Sequence, residues 1–294
     1  MAIPGEEAGW KMDSHTKLFG VIGDPVRHSR SPVMFTRAFA ETGYNGAYGA
    51  FHVTADRLAE AIAGMRALGF GGLNVTIPHK VAVMRYLDEI DESAREAGAV
   101  NMIANRDGRL VGYNTDGLGY VRSLKEEAEP ELAGKTFVMA GSGGAARGIL
   151  WALVREKPAR VTVVNRTYEK AAELAGRFAS EADVRALPWD ELPSACAEAD
   201  IVINTTSVGM APNIEAVSID PSLLRPGAVA SDIIYNPLKT AFLKGAETRG
   251  CRIHGGVGMF IYQAVYNFEI WTGMPAPVAA MREAVLESLA REGK

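Results

Sequence analysis

From Leu18 onward, short apolar runs rich in β-branched residues alternate with longer segments in which apolar residues recur every three or four positions. The short runs are typical of buried strands, and the longer segments are typical of amphipathic helices. The predicted strands span residues 18–23, 47–53, 71–77, 136–141, 160–166, 201–206 and 229–235, and the predicted helices span residues 32–42, 55–68, 80–87, 145–154, 169–178 and 259–272. This alternation predicts an α/β fold in which helices cover a parallel sheet.

A highly charged stretch at residues 123–135 interrupts the alternation and ends in Gly-Lys just before an apolar strand. Such a stretch is typical of a joint between two domains. The alternative is a solvated helix end inside one domain. Because 294 residues leave room for two domains of ordinary size, we expect two α/β domains.

Composition narrows the class of protein. Apolar residues make up 48% and charged residues 22%, and 31 basic against 35 acidic residues give a net charge of −4. These values indicate a globular protein with no basic surface for nucleic acid or anionic membranes. Cys196 and Cys251 lie far apart with no Cys-x-x-Cys spacing, so we expect no disulfide framework, no metal site and a cytoplasmic location.

No run of residues approaches the 18 or more apolar positions of a membrane span, and the first residues lack the apolar segment of a secretory signal. We therefore expect no membrane association. Residues 1–16 mix charge with Pro and Gly and are expected to form a flexible N-terminal extension.

The segment after the strand at residues 136–141 has the pattern G-x-G-x-x-A, formed by Gly141, Gly143 and Ala146. The first glycine allows a tight turn, the second lets the backbone approach a pyrophosphate, and the small third residue lets the helix pack closely on the strand. Free N–H groups at the start of the following helix attract phosphate. This context predicts a Rossmann nucleotide-binding domain, although a glycine-rich turn alone is the alternative.

The end of the next strand indicates which dinucleotide binds. A Rossmann domain that prefers NAD places an acidic residue here, on the ribose 2′-hydroxyl. This chain instead has Asn165-Arg166-Thr167, with Lys170 one turn later. Because arginine presents planar donors that match phosphate oxygens, the sequence predicts NADP. The alternative is that Arg166 is an ordinary surface residue.

Three further strand ends are unusually polar. Thr205, Thr206 and Ser207 follow the strand at 201–206, where ligands lie in Rossmann domains, although they also suit a turn cap. Before the joint, Lys80 follows the strand at 71–77, and Asp116 lies in the segment VGYNTDGLG. A lysine and an aspartate brought together can share a proton with a substrate oxygen. Without context, Lys80 is a solvated lysine and Asp116 a helix N-cap.

These segments, in this order, resemble the shikimate dehydrogenase family. The resemblance extends from about Leu18 to Gly273 and rests on the motifs GVIGDPVRHSRSP, GLNVTIPHK, AVN, YNTDG, GSGGAARG, NRT, NTTSVGM, DIIYNPLKTAFL and GVGMFIYQAVYNFEIWTG. It implies a substrate-binding α/β domain formed by residues 17–121 and 255–294, and a doubly wound Rossmann domain for NADP formed by residues 122–254.

The resemblance also implies an activity. The family consists of NADP-dependent oxidoreductases that act on a CH–OH group and reversibly reduce 3-dehydroshikimate to shikimate, a step in the synthesis of chorismate and aromatic amino acids. The expected partner is therefore a small-molecule substrate, with no nucleic acid and no membrane. A homodimer is compatible with the sequence, which does not fix the oligomeric state.

The resemblance further implies roles for individual residues. Lys80 and Asp116 match the family's catalytic pair. The residues expected to bind substrate are Ser29, Ser31 and Tyr235 at its carboxylate, and Thr76, Asn101, Asp116 and Gln263 at its hydroxyls. The residues expected to bind NADP are Gly141, Ser142, Gly143, Gly144, Ala145, Ala146, Asn165, Arg166, Thr167, Lys170, Thr205, Thr206 and Ser207, with Gly258 and Met259 near the nicotinamide. For Tyr235, a core aromatic is the alternative.

The chain departs from the family pattern at two places. Phe35-Thr36 stand where the family usually has His-Asn, and Met102 follows Asn101 where the family usually has Thr. These residues either pack helix and strand or change the substrate preference. Two other functions stay open: an NAD-dependent quinate/shikimate dehydrogenase, which Arg166 disfavours, and a catalytically silent NADP-binding protein, which the retained Lys80 and Asp116 disfavour.

Overall fold

The computed structural model describes residues 12–292. Residues 1–11 of the expected N-terminal extension lie outside this range. By its internal contacts the chain divides into two compact units: the first contains the residues up to Arg95, Ala99–Asn114 and the residues from Ala264, and the second contains Glu96–Gly98 and Thr115–Gln263. The charged stretch 123–135 lies within the second unit, and the functional domain boundaries after residues 121 and 254 stay a prediction.

Strands and helices alternate along both units, so the predicted α/β class is confirmed. The strands are β1 (Lys17–Gly23), β2 (Gly46–His52), β3 (Gly72–Val75), β4 (Glu89–Ile90), β5 (Met102–Arg106), β6 (Arg109–Tyr113), β7 (Thr136–Ala140), β8 (Arg160–Val164), β9 (Val184–Leu187), β10 (Ile201–Asn204), β11 (Val229–Asp232) and β12 (Arg252–His254). The helices are α1 (Ser31–Thr42), α2 (Leu58–Ala67), α3 (Glu92–Ala97), α4 (Asp116–Glu127), α5 (Gly144–Arg155), α6 (Tyr168–Gly176), α7 (Leu192–Glu198), α8 (Ala241–Thr248), α9 (Gly256–Thr272) and α10 (Val278–Glu292).

The sheet of the first unit has the order β2-β1-β3-β5-β6-β4. β1 runs parallel to β2 and β3, whereas β5 runs antiparallel to both β3 and β6. The sheet is therefore mixed rather than wholly parallel as the alternation predicted. The hairpin between β5 and β6 turns at Asp107 and Gly108, whose φ angles of 52° and 90° suit an Asp-Gly turn. The predicted helix at residues 80–87 is a shorter 3₁₀ helix, Ala82–Tyr86.

Apolar side chains pack on both faces of this sheet at β1, whose successive side chains point to opposite sides. On one face Ile22 joins an aliphatic cluster with Leu58, Ile62 and Val75. On the other face Phe19 lies 5.4 Å from Phe39 and 5.0 Å from Trp271, measured between ring centroids. α2 thus covers one face of the sheet, and α1 with the end of α9 covers the other.

The sheet of the second unit has the order β12-β11-β10-β7-β8-β9, and every neighbouring pair is parallel. Read in chain order from β7, this is the 3-2-1-4-5-6 arrangement of a doubly wound Rossmann domain. Phe137 and Met139 pack on one face with α4, α5 and α6, and Val138 and Ala140 pack on the other with α7 and α8. Within residues 12–292, no helix is both long enough and apolar enough to cross a membrane.

Candidate active site

Four of the predicted substrate-binding residues lie close to the carboxyl ends of β1 and β3 in the first unit. These two parallel strands end side by side, because the Thr76 backbone N–H donates to the Ile22 carbonyl at 2.9 Å. Ser29 and Ser31 lie in the segment that joins β1 to α1, and the Ser31 N–H donates to the Ser29 hydroxyl at 3.3 Å. Asn101 is bound to the last residue of β3, since the Val75 N–H donates to its carbonyl at 2.8 Å.

Lys80 lies beside Asn101 in the same unit. The Lys80 carbonyl accepts a 2.7 Å hydrogen bond from the Val100 N–H, which holds the residue next to Asn101 along the chain. Lys80 is half-buried, and Asn101 is buried. The structure therefore groups the predicted general acid with two predicted substrate-binding positions, Thr76 and Asn101, at one sheet edge.

The Asn74 side chain, to which the sequence assigned no role, is buried at this sheet edge. Asn74 on β3 accepts a hydrogen bond from the Tyr48 hydroxyl at 2.7 Å and donates to the Asn101 carbonyl at 3.3 Å. Burial raises the pKa of Tyr48 well above its usual value, so the phenol stays protonated and remains a donor. The polar strand end around Asn74 was visible in the sequence, but its partner Tyr48 on β2 was not.

The two departures from the family pattern are mostly packing positions. Phe35 is fully buried on α1, where its ring stacks on Tyr48 with a centroid distance of 4.5 Å and an interplanar angle of 3°. Met102 is fully buried on β5, and Thr36 is exposed on α1. These positions favour the interpretation that the departures repack the first unit.

The remaining predicted substrate residues belong to the second unit. Asp116 is buried as the first residue of α4, and Thr115 rather than Asp116 occupies the N-cap position. A carboxylate in the first turn of a helix is favoured by the helix dipole. Gln263 lies beside this helix, because its backbone nitrogen is 2.5 Å from the point where a side chain on Gly119 would begin. Tyr235 is half-buried and stacks on Phe260 at 4.3 Å.

The glycine-rich turn after β7 has the geometry that its sequence predicts. Gly141 has a φ angle of +113°, a conformation that residues with a side chain rarely adopt. Gly143 occupies the N-cap of α5 without a side-chain cap, and Gly144 and Ala145 begin the helix. Its first turn carries no acidic residue. Ala146 is fully buried, so its small side chain lets α5 lie close to the sheet.

The end of β8 carries the groups predicted to select the dinucleotide. Asn165 is half-buried and donates to the Thr167 carbonyl at 2.9 Å, which shapes the turn before α6. Arg166, Thr167 and Lys170 are exposed. No acidic residue stands at the end of this strand, where an NAD-specific domain would place one.

The loop after β10 lies against the Gly141 turn. The Thr205 hydroxyl donates to the Ala140 carbonyl at 2.8 Å, and it is 2.5 Å from the point where a side chain on Gly141 would begin. β7 and β10 are the strands between which the order of the Rossmann sheet reverses, and dinucleotides bind at that crevice. Thr206 and Ser207 follow in the same loop, half-buried and exposed respectively.

Gly258 and Met259 lie in the first turn of α9. A side chain on Gly258 would begin 2.0 Å from the Ser123 hydroxyl oxygen, so glycine is required for α9 to pack on α4. Met259 is buried in the core of the second unit. Sequence reasoning missed the buried pair Asn204 and Asp232, which lie at the carboxyl ends of β10 and β11.

Comparison with known families identifies the chain. The model described as the shikimate dehydrogenase substrate binding domain matches residues 21–103. The model of the shikimate/quinate 5-dehydrogenase matches residues 123–219, and that of the shikimate 5′-dehydrogenase C-terminal domain matches residues 256–286.

Individual relatives match over nearly the whole length. The Geobacillus kaustophilus protein named shikimate dehydrogenase (NADP(+)) is 51% identical over 278 residues, which are 94% of this chain and 99% of that protein. A solved shikimate dehydrogenase in complex with NADP+ is 40% identical with a TM-score of 0.88, covering 95% of this chain and 98% of that one. The Thermus thermophilus enzyme in complex with NADP(H) and shikimate is 33% identical with a TM-score of 0.84, covering 93% and 100%. The chain therefore belongs to the shikimate dehydrogenase family.

Proposed function

We propose that this protein is an NADP-dependent shikimate dehydrogenase that reversibly reduces 3-dehydroshikimate to shikimate in aromatic biosynthesis. One observation carries the proposal: in a chain of this family, Lys80 is held half-buried beside Asn101 at the carboxyl edge of the first sheet. A lysine at that edge can exchange a proton with a substrate oxygen, which a protein that only binds a nucleotide does not need.

The second unit fits NADP by its own geometry. The positive φ of Gly141 and the uncapped start of α5 leave backbone N–H groups and a helix dipole for the pyrophosphate. Exposed Arg166 and Lys170 supply cations at the end of β8 for the ribose 2′-phosphate, with Asn165 and Thr167 beside them. We assign the remaining cofactor contacts to Ser142, Gly144, Ala145 and Ala146, to Thr205, Thr206 and Ser207, and to Gly258 and Met259.

The substrate roles are those that the resemblance to the family implies, and the chemistry of each side chain suits its role. Hydroxyls of Ser29, Ser31 and Tyr235 donate to the substrate carboxylate. Thr76, Asn101, Asp116 and Gln263 donate to or accept from its ring hydroxyls. Backbone hydrogen bonds at the ends of β1 and β3 fix the main chain at Thr76 and Asn101.

The mechanism needs one proton at the oxygen of the reduced carbonyl. NADPH, when bound, supplies the hydride to the carbonyl carbon. The Lys80 ammonium stabilises the developing alkoxide and donates its proton to that oxygen, and in the reverse direction the neutral amine accepts the hydroxyl proton. The resemblance to the family pairs Asp116 with Lys80, and a carboxylate in that role orients the ammonium and compensates its charge. After turnover, Lys80 regains its proton from water.

The first experiment crosses shikimate and quinate with NADP+ and NAD+ and follows nicotinamide absorbance. The proposal expects rapid reduction of NADP+ with shikimate and little reduction in the other three combinations. Equal rates with quinate or NAD+ indicate a quinate/shikimate dehydrogenase instead, and no reduction with any pair indicates the silent NADP-binding protein.

Variant Lys80→Ala tests the role of the lysine. We expect kcat to fall by about a hundred- to ten-thousandfold, the usual contribution of a positioned acid–base group, while the Kd for NADP+ stays within about twofold. Lys17→Ala is the matched control, because Lys17 is exposed at the opposite end of β1 in the same unit. A large loss of NADP+ binding in Lys80→Ala contradicts the assigned role.

Cytoplasmic location and the lack of nucleic-acid binding are further parts of this proposal, with which a homodimer is compatible. The balance of 31 basic and 35 acidic residues supports a small-molecule partner over a nucleic acid. Size-exclusion chromatography with light scattering tests the homodimer, and fractionation of the native cells tests the location.

A further inference from the structure

A buried carboxylate ends β11 in the second unit. Asp232 is fully buried and accepts hydrogen bonds from the Thr240 hydroxyl at 2.7 Å, the Ile234 N–H at 3.1 Å and the Asn204 side-chain amide at 3.1 Å. All three donors are neutral, and within residues 12–292 no lysine or arginine pairs with this carboxylate. Burial raises its pKa to about 6. A charge held in this way is unfavourable for folding by itself.

Asp232 determines how the Asn204 side chain is oriented. The two residues are register partners on the adjacent parallel strands β10 and β11. Because the ionised carboxylate can only accept, the NH₂ group of Asn204 must face it, and the Asn204 carbonyl oxygen must face away. The same carboxylate oxygen, Oδ1, also accepts from the Ile234 N–H, so an amide at position 232 would keep its oxygen there, whereas an aliphatic side chain would leave the Asn204 NH₂ group without this acceptor.

The oriented amide shapes the loop that follows β10. The Asn204 Oδ1 atom accepts hydrogen bonds from the Thr206 N–H at 3.1 Å and from the Thr206 hydroxyl at 2.7 Å. Its Nδ2 atom also donates to the Val208 carbonyl at 3.3 Å. If the amide were reversed, an NH₂ group would face two donors of Thr206, and the loop would lose these bonds.

This loop borders the crevice of the Rossmann sheet. Its first residue, Thr205, is bound to the Ala140 carbonyl and lies against Gly141. A displacement of this loop would therefore also shift the Gly141 turn, which we assign to the pyrophosphate. Asp232 itself is covered by Thr240 and Asn204 and has no access to that crevice by direct contact.

We propose that Asp232 is a positioning residue for the dinucleotide: it fixes the orientation of the Asn204 amide and thereby holds the Thr205–Val208 loop in the form that binds NADP. The inference rests on the proposed cofactor site and goes beyond it, because it assigns a binding role to a residue that does not touch the ligand.

The test compares Asp232→Leu with the wild-type full-length protein. Isothermal titration with NADP+ alone gives the Kd, steady-state kinetics give the two KM values, and thermal unfolding without ligand gives the Tm. We expect the Kd and KM for NADP+ to rise about tenfold, as for the loss of one or two hydrogen bonds. The KM for shikimate should stay within about twofold. The Tm should fall, because the Asn204 amide, the Thr240 hydroxyl and the Ile234 N–H lose their acceptor.

Thr240→Val is the matched control. It removes one donor to Asp232 and the hydroxyl that caps α8, but it leaves the contact between Asp232 and Asn204 in place. We expect a lower Tm and an unchanged Kd for NADP+. If the cluster has a purely structural role, the Kd for NADP+ will instead rise in both variants as the Tm falls.

Asp232→Asn is the conservative variant. The amide oxygen can take the place of Oδ1 and accept from the Ile234 N–H and from the Asn204 amide, so the loop should keep its form. We expect the Kd for NADP+ to stay within about threefold of wild type, a limit set by the loss of less than one hydrogen bond. If Asp232→Leu does not fold, Asp232→Ala, which removes the acceptor without adding bulk, decides by the same tenfold expectation. An unchanged Kd in the variant without the acceptor, or an equal rise of the Kd in Asp232→Asn, overturns the inference, whereas failure of the wild type to bind NADP+ overturns the proposed function itself.

Discussion

Substitution of Gly141 by alanine separates the folding role of the glycine-rich turn from its role in binding. At φ +113° an alanine is strained, which costs about 1–3 kcal/mol. Its Cβ would also lie 2.5 Å from the Thr205 Oγ1 atom, and displacing that hydroxyl from the Ala140 carbonyl costs about 1 kcal/mol more. We therefore expect Gly141→Ala to lower the free energy of unfolding of the second unit by roughly 2–4 kcal/mol, or about 5–10 °C in Tm.

Gly143→Ala is the matched control. Gly143 has a φ angle of −76°, and nothing lies within 4 Å of the point where its side chain would begin. Without cofactor we expect its Tm to change by about 2 °C or less, since the poorer N-capping of alanine, about 1 kcal/mol, is offset by the lower entropy that alanine gives the unfolded chain. The added methyl group points into the space beside the start of α5, so the Kd for NADP+ should rise about tenfold or more.

The assays are thermal unfolding in the absence of cofactor and calorimetric titration with NADP+. Gly141→Ala should lose both stability and binding, whereas Gly143→Ala should lose binding alone. Wild-type stability in Gly141→Ala would falsify the steric reasoning for that turn. Equal Kd values for Gly143→Ala and wild type would show that the pyrophosphate does not approach this backbone.

Three further predictions address single side chains. Arg166→Ala should raise the Kd for NADP+ by about 10- to 100-fold through the loss of charge-assisted hydrogen bonds, and leave the Kd for NAD+ within twofold; parallel losses for both dinucleotides would contradict a 2′-phosphate contact. Burial lowers the pKa of His254 to about 4, below the value near 6.5 that this side chain has in the unfolded chain. The stability that the neutral buried imidazole contributes is therefore complete above about pH 6.5 and is lost as the pH falls, by about 2 kcal/mol at pH 5. The difference in unfolding free energy between wild type and His254→Gln should therefore shrink from pH 7 to pH 5, and a constant difference would refute the burial argument. Phe35→Leu should lower stability by about 1–2 kcal/mol through the lost stacking on Tyr48, yet leave the ratio of quinate to shikimate turnover unchanged; a shifted ratio would make Phe35 a specificity residue.

Much of the fold was predictable because strand and helix periodicities are local. The predicted strand at 18–23 and the predicted helix at 32–42 differ from β1 and α1 by one residue. The hairpin of β5 and β6 was missed, although the sequence Asn-Arg-Asp-Gly-Arg contained the Asp-Gly signal for its turn. The predicted helix at 80–87 is shorter in the structure, where it spans Ala82–Tyr86. The Lys80 carbonyl accepts a hydrogen bond from the Val100 N–H instead of from a helix N–H.

The site was predictable where a motif is continuous in the chain. The turn at Gly141 and the cluster at Arg166 each lie in one segment with known chemistry. In contrast, Asn204 and Asp232 are 28 positions apart and meet only through the register of β10 and β11. Tyr48 and Asn74 likewise meet only because their strands flank β1 in one sheet. Contacts of this kind depend on strand order, which the hydrophobic pattern does not specify.

The end of β11 shows how one strand serves two faces of the Rossmann sheet. Because side chains alternate along a strand, Ser231 and Asp232 point to opposite faces. The Ser231 hydroxyl bonds the Tyr120 hydroxyl at 2.8 Å and His254 Nδ1 at 2.9 Å, while the other ring nitrogen of His254 bonds Ser123 at 2.7 Å. These contacts anchor α4, the helix that begins with Asp116. The next residue, Asp232, turns instead toward the loop after β10. Two adjacent residues of one strand therefore hold a predicted catalytic helix on one face and a predicted cofactor loop on the other, which explains why a strand end in this unit is buried and yet polar.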